Sequence, residues 1–188
     1  MDRLTFLRQF SELSVKDYEL LTESFAGRQF KKGEVLLTPG QTQRELYFVN
    51  SGVQMSCFET ESKTHVIAFT YAPGLCAVPD SFSLQKPSTC SLVCLTDTEV
   101  DSVSYNVLQL LFDESQSIER LFRKMTEVLL AGMINRHIEL HSLTMEERYR
   151  AFCKRSPHLL QLVPHKYLAS YLGIDPTNFS KLYNSVKI

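Results

Sequence analysis

The sequence predicts an α+β protein with three parts: an N-terminal antiparallel β-roll (a double-stranded β-helix or jelly roll), a long dimerisation helix, and a small C-terminal all-α helix-turn-helix domain. Three observations carry this. Between about Arg28 and Ser104, short apolar runs alternate with the period of two expected of strands, and turn residues separate them. From Ile118 to about Ser142 the apolar residues recur in steps of three and four. Residues 164–183 hold two short helical patterns on either side of a glycine. The expected units are 1–117, 118–143 and 144–188.

Residues 2–25 read as a helical lead-in, with Ser14 as an N-cap and Asp17 as its capping-box partner. Strand-like runs follow at 35–37, 46–49, 53–58, 64–71, 91–95 and 100–104. Lys32-Gly33, Pro39-Gly40, Asn50-Ser51-Gly52, Glu61-Ser62 and Pro73-Gly74 separate them. Many short strands at this spacing point to a jelly roll or related barrel. Tyr47 and Val49 fall on one face of their strand and Leu46 and Phe48 on the other, so both faces are expected to be covered.

A short helix at 105–112 closes the roll, and Ser117 is the expected N-cap of the long helix. Leu121, Met125, Val128 and Gly132 resemble the seam of a two-helix coiled coil between two copies; the alternative is a helix buried within its own chain. A helix rises about 1.5 Å per residue, so this run would reach nearly 40 Å. Gly132 weakens it by about 1 kcal/mol relative to Ala, unless a partner approaches closely there. Thr144 and Glu147 form a capping box for a helix over 145–154 that turns Tyr149 and Phe152 inward; Ser156-Pro157 stops it, and 158–163 connect onward.

In the tail, Leu168, Ala169 and Leu172 repeat at helical spacing and Gly173 breaks the helix. Asp175 caps a second helix that has Pro176 at its first position and Phe179 and Leu182 as its apolar stripe. Ala169 and Gly173 supply the small residue and the flexible corner that two steeply crossed helices need. This is the pattern of a helix-turn-helix, whose second helix enters the DNA major groove.

Composition bounds the class of protein. The chain has 188 residues, 44% of them hydrophobic, enough for a substantial core. No apolar run approaches the roughly 20 residues of a membrane span, and Met1-Asp-Arg-Leu-Thr5 begins no signal peptide, so the expectation is a soluble, cytoplasmic protein. Five cysteines form no CxxC pair and read as buried thiols. Residues 1–144 carry a charge balance of -5 and residues 145–188 one of +4, so the basic surplus lies with the expected DNA reader.

The order of parts carries a resemblance. Phe30-Lys-Lys-Gly-Glu-Val-Leu-Leu-Thr-Pro-Gly40 and Leu46-Tyr-Phe-Val-Asn-Ser-Gly52 look like the opening of the cyclic-nucleotide-binding roll. That roll heads the cyclic-AMP receptor protein/FNR family of bacterial transcription regulators. Roll, long helix and helix-turn-helix come here in the family order. The resemblance implies a homodimer that binds DNA, with RNA polymerase as a further partner and a small effector in the roll.

The effector segment departs from the family. Where a Gly-Glu pair would meet the ribose and an Arg-Ser pair the phosphate, this sequence has Ala77-Val78 and Ser88-Thr89. Without the arginine there is no bidentate clamp for a cyclic phosphate. No cofactor is assigned, cyclic nucleotide is disfavoured, and the candidate contacts for another ligand are Asp80, Ser81, Ser88 and Thr89, with Lys86 as added charge.

On the family's pattern Thr177, Asn178 and Lys181 face base edges, while Lys166, Ser180, Tyr183 and Asn184 meet phosphates. The family's usual base-reading Arg and Glu correspond to Pro176 and Thr177, so the target sequence is not transferable. Only Asn184-Ser-Val-Lys-Ile188 follows the helix, so the β-hairpin wing is expected to be absent or truncated. The competing function is a small-ligand sensor or interaction module whose head no longer grips DNA. Enzymatic activity is not expected: a metal-dependent cupin needs a His-x-His set, yet only His65 lies in the roll. His137 and His141 have the spacing for a shared metal but no third ligand nearby, and the cysteines do not form the N-terminal cluster of the family's iron–sulfur variant.

Overall fold

The structure is a computed structural model and describes residues 2–186. Two short helices lead in. Helix α1 (Arg3–Arg8) is capped by Asp2, whose carboxylate accepts from the Thr5 N–H. Helix α2 (Val15–Glu23) is capped as expected by Ser14, whose hydroxyl accepts from the Asp17 N–H.

The roll then forms from β1 (Ala26–Phe30), β2 (Val35–Leu37), β3 (Glu45–Ser51), β4 (Val53–Glu59), β5 (Thr64–Tyr71), β6 (Gly74–Cys76), β7 (Ser91–Cys94) and β8 (Thr98–Ser104). Helix α3 (Pro79–Leu84) sits between β6 and β7. Among the described residues the strands make two antiparallel four-stranded sheets, ordered β1-β8-β3-β6 and β2-β7-β4-β5. The predicted fold class, an α+β chain headed by a β-roll, is the one observed. Strands β1 and β6 lie outside the expected runs.

Side-chain alternation divides the roll as the period of two requires. Tyr47, Val49, Cys76, Val78 and Val100 turn inward to meet Leu37 and Leu92. Leu46, Phe48 and Val103 turn outward into a second core beneath α1, α2, α4 (Tyr105–Glu114) and the start of α5 (Gln116–Ser142). Gly52 makes the β3–β4 turn at φ 91°, where a Cβ would lie 2.5 Å from the Asp97 carbonyl oxygen; only glycine fits.

The long helix starts one turn corner earlier than expected. Ser115, not Ser117, caps α5: its hydroxyl accepts from the Ile118 N–H and donates to the Asp17 carboxylate at 2.7 Å. The expected seam is also corrected. Leu121 and Ile118 are completely buried within their own chain, so Leu121 belongs to the roll's helical cover. Met125 is partly buried against the same core, whereas Val128 and Gly132 are exposed. Leu129, Leu130, Met133, Ile134 and Ile138 are exposed as well, 47–58% of each side chain's residue surface.

Helix α6 (Met145–Arg155) opens on the complete Thr144–Glu147 capping box. A single-turn helix, α7 (Leu159–Leu162), replaces the expected connector, followed by α8 (His165–Leu172) and α9 (Pro176–Ser185). The head does not hang free. Val53, Met55, Cys57 and Val66, on the outer face of β4 and β5, join Tyr149, Phe152, Leu168 and Phe179 in one continuous core.

Candidate nucleic-acid interface and effector region

The helix-turn-helix is built as its residues require. Gly173 ends α8 at φ 62°, and the Ile174 N–H bonds back to the Ala169 carbonyl at 2.9 Å. The Asp175 carboxylate accepts from the Thr177 N–H at 2.9 Å, with Pro176 at the first helical position. Ala169 is fully buried at the crossing, and Phe179 is fully buried with its ring 5.7 Å edge-on from Tyr149.

With Phe179 pinned inward, helical geometry turns Thr177, Lys181 and Asn184 to the opposite side, and all three are exposed together with Ser180. The structure therefore brings these four to one uncovered face. Asn178 stands at its flank, partly buried, with Nδ2 4.0 Å from the Met145 sulfur. Tyr183 lies on the other flank, its ring 4.3 Å from His165. Lys166 is exposed at the start of α8, its Nζ 4.8 Å from the Tyr167 ring centre. Residues 184–188, on which the expectation of an absent or truncated wing rests, fall partly outside the described residues.

Several residues that sequence reasoning missed hold this head in place. The Arg148 guanidinium donates to the carbonyls of Leu143, Leu172 and Gly173 at 2.6, 2.8 and 3.2 Å, clamping the turn to the hinge. Arg136 of α5 donates to the Tyr171 carbonyl and lies 3.5 Å from the Tyr171 ring centre. Arg155 grips Glu139 through both oxygens. Part of the basic surplus of residues 145–188 is thus bound internally, leaving Lys154, Lys166 and Lys181 among its exposed cations.

The effector segment is closed by its own side chains. Ser81 is fully buried; its hydroxyl accepts from the Gln43 N–H and donates to the Lys86 carbonyl. Ser88 is buried, its hydroxyl donating to the Cys90 carbonyl and accepting from the Cys90 N–H. Both hydroxyls hold the loop, so neither offers a ligand the hydrogen bonds expected of it. Asp80 pairs with Lys86 at 3.4 Å in the open, and Thr89 is exposed. Gln43, almost fully buried, takes the interior position: Oε1 accepts from the Val78 N–H at 2.7 Å and Nε2 donates to the Glu45 carbonyl. A Gln thirty-five residues away gave no local signal of this.

Between the sheets Val49, Cys76, Leu92 and Val100 are buried, and an open pocket of about 440 Å³ lies at their edge beside Leu37, Gln43 and Tyr47. Burial pushes the Tyr47 phenol up to about 12, and likewise the Cys57 and Cys76 thiols to about 11 and 12. These thiols are packing groups. His137 and His141 lie with ring centres 4.4 Å apart on the exposed side of α5, and no group of three or more metal-ligating side chains occurs among the described residues. A separate cleft of about 530 Å³ opens on the outer face of β3 and β6, between α1, α3, α4 and α5.

Residues 27–115 match the cyclic nucleotide-binding domain family. Among solved structures, FixK2 from Bradyrhizobium japonicum is 16% identical with a TM-score of 0.75, over 85% of this chain and 83% of that one. The catabolite activator protein of Thermus thermophilus is 18% identical with a TM-score of 0.59, over 94% and 84%. A protein described as a transcriptional regulator of the crp/fnr family, from Eubacterium rectale, is 12% identical with a TM-score of 0.69, over 92% and 82%. No curated protein sequence matches the chain. The match to that domain family spans a little under half of the chain, and the whole chain shares the fold of these regulators, so the resemblance read from the sequence holds for the fold.

Proposed function

We propose that this chain is a homodimeric, DNA-binding transcription regulator whose roll no longer takes a cyclic nucleotide. One observation carries the reading: α9 is anchored through Phe179 and capped by Asp175, yet its Thr177–Lys181–Asn184 face is left uncovered. A helix held this firmly with a polar row outward is suited to a major groove. In this reading residues 1–117 form the sensing roll, 118–143 the dimer helix and 144–188 the reader, with Lys166, Ser180 and Asn184 on phosphates and Thr177 and Lys181 on base edges.

Dimerisation is supported by α5. Its middle leaves Leu130, Ile134 and Ile138 exposed on the side away from Ile118 and Arg136, which face the chain's own core and head. So many large apolar side chains on one helix call for cover, and a second copy supplies it with twofold spacing of two readers. The loss of cyclic-nucleotide binding is supported by the Gln43, Ser81 and Ser88 bonds, which close the segment with no arginine in it.

Selection from random DNA followed by hydroxyl-radical footprinting tests the reading. The expected result is an inverted repeat protected at two groove segments about 34 Å apart. Protection of a single segment would remove the dimer, and no enriched sequence would leave the ligand-sensor alternative.

A further inference from the structure

We propose that the cleft between α1, α3, α4 and α5 is this chain's effector site, and that it takes a small, largely apolar ring compound; this rests on the reading of the chain as a regulator. The cleft lies on the opposite face of the sheet from the roll interior. Its floor is Leu46, Leu75 and Ala77, which alternate along β3 and β6 with the inward-facing Tyr47, Cys76 and Val78. Its volume of about 530 Å³ is that of a small-molecule pocket, typically about 300–1,000 Å³.

The walls specify the chemistry. Phe6 and Phe10, Phe82 and Tyr105, and Phe112 and Phe122 line the cleft as three pairs, with ring centres 5.3, 5.6 and 5.3 Å apart. Such edge-on and tilted pairs leave ring faces and edges for a further ring. Ser83, Gln109 and Thr126 add a few hydrogen-bonding groups, and Glu119 and Arg123 add charges of opposite sign. Arg123 is already paired with Glu127 at 2.5 Å. No net positive field favours a phosphate here, in keeping with the closed phosphate segment inside the roll.

The position gives the site a route to the reader. Phe122, Met125 and Leu129 belong to α5, where its buried first turns give way to the uncovered middle. An occupant would touch the last covered turn of α5, and α5 holds the head through Arg136 and Glu139. Binding therefore bears on the one element that joins roll, seam and reader.

The test uses the full chain and the neutral fluorophore N-phenyl-1-naphthylamine. Saturable emission enhancement at one dye per chain is expected, weakened at least tenfold in both Ser83→Trp and Gln109→Trp, which fill the cleft from two walls. Leu110→Trp, exposed on the far side of α4, should bind as the parent does. The sequence contains no tryptophan, so Phe122→Trp is a ring-conserving reporter whose emission the bound dye should quench, independent of how the filled variants fold. Undiminished binding in both filled variants, no saturable binding to folded parent, or unquenched emission from the Phe122→Trp variant would each overturn the assignment. DNA binding measured on the same samples separates the two claims: dye binding without DNA binding keeps the site and removes the regulator, and the converse does the reverse.

Discussion

Ser170 of α8 and Val66 of β5 are joined directly: the Ser170 hydroxyl accepts from the Val66 N–H at 3.0 Å and donates to the Thr64 carbonyl at 2.8 Å. Strand β5 is the edge of its sheet, so one side chain of the first reader helix takes the place of a neighbouring strand. Ser170→Ala would leave that edge N–H and C=O to compete for water in a half-buried joint. The expected cost is about 1–2 kcal/mol, measured by urea denaturation with an unchanged slope. A loss below a few tenths would mean the joint is open in solution.

The corner of the helix-turn-helix makes a second prediction. Gly173 sits at φ 62°, and a Cβ there would come 3.3 Å from Leu140 Cδ2 of α5. Gly173→Ala should lower stability by about 1–2 kcal/mol, from the left-handed conformation alone, and Gly173→Asn by less, because Asn tolerates it. Thermal melts of the two variants decide this; equal effects would place the strain in the Leu140 contact.

These two sites mark where the sequence was legible. The Gly173 corner, the Asp175 cap and the Thr144–Glu147 box are local: each partner lies within a few residues, and spacing alone reveals them. Ser170 carries no such local signal, because its partners Val66 and Thr64 lie 104 and 106 residues away. Strand β1 was invisible for a related reason. Ala26-Gly-Arg-Gln-Phe30 has no apolar alternation, since four of its five residues face water and only pairing with β8 makes it a strand. Periodicity likewise found the long helix but not which of its residues the roll covers: steps of three and four pick out Leu121 as readily when it faces its own roll as when it would face a partner.

A third prediction concerns the turn clamp. Arg148 donates to three carbonyls at the hinge and turn, whereas Arg150, two residues on, pairs with Glu146 on the surface. Arg148→Ala should cost about 1–3 kcal/mol through the loss of three hydrogen bonds to a charged group, two of them partly buried, while Arg150→Ala stays within about 0.5 kcal/mol. Arg148→Lys should not rescue, because an ammonium lacks the fork that spans three acceptors. Chemical denaturation of the three variants checks the order.

Acid should loosen the joint between α2 and α5. The Asp17 carboxylate accepts from the Ser14 hydroxyl at 2.6 Å and the Ser115 hydroxyl at 2.7 Å, and these bonds hold it below its ordinary value of 3.8. A depressed folded pKa contributes stability that is present above the ordinary value and is lost as pH falls through the lower, folded one. Melting temperatures recorded from neutral pH down through the carboxylate range should fall less steeply for Asp17→Asn than for the parent. Parallel profiles would show that Asp17 has no such role.

The most direct measurement is DNA affinity against salt for the full chain, by fluorescence anisotropy on a selected site. The exposed Thr177–Lys181–Asn184 face predicts log affinity falling linearly with log salt, and Lys181→Ala reducing the slope by about 1. No binding at the lowest salt, or binding whose slope and strength ignore Lys181→Ala and Thr177→Ala alike, would contradict the account.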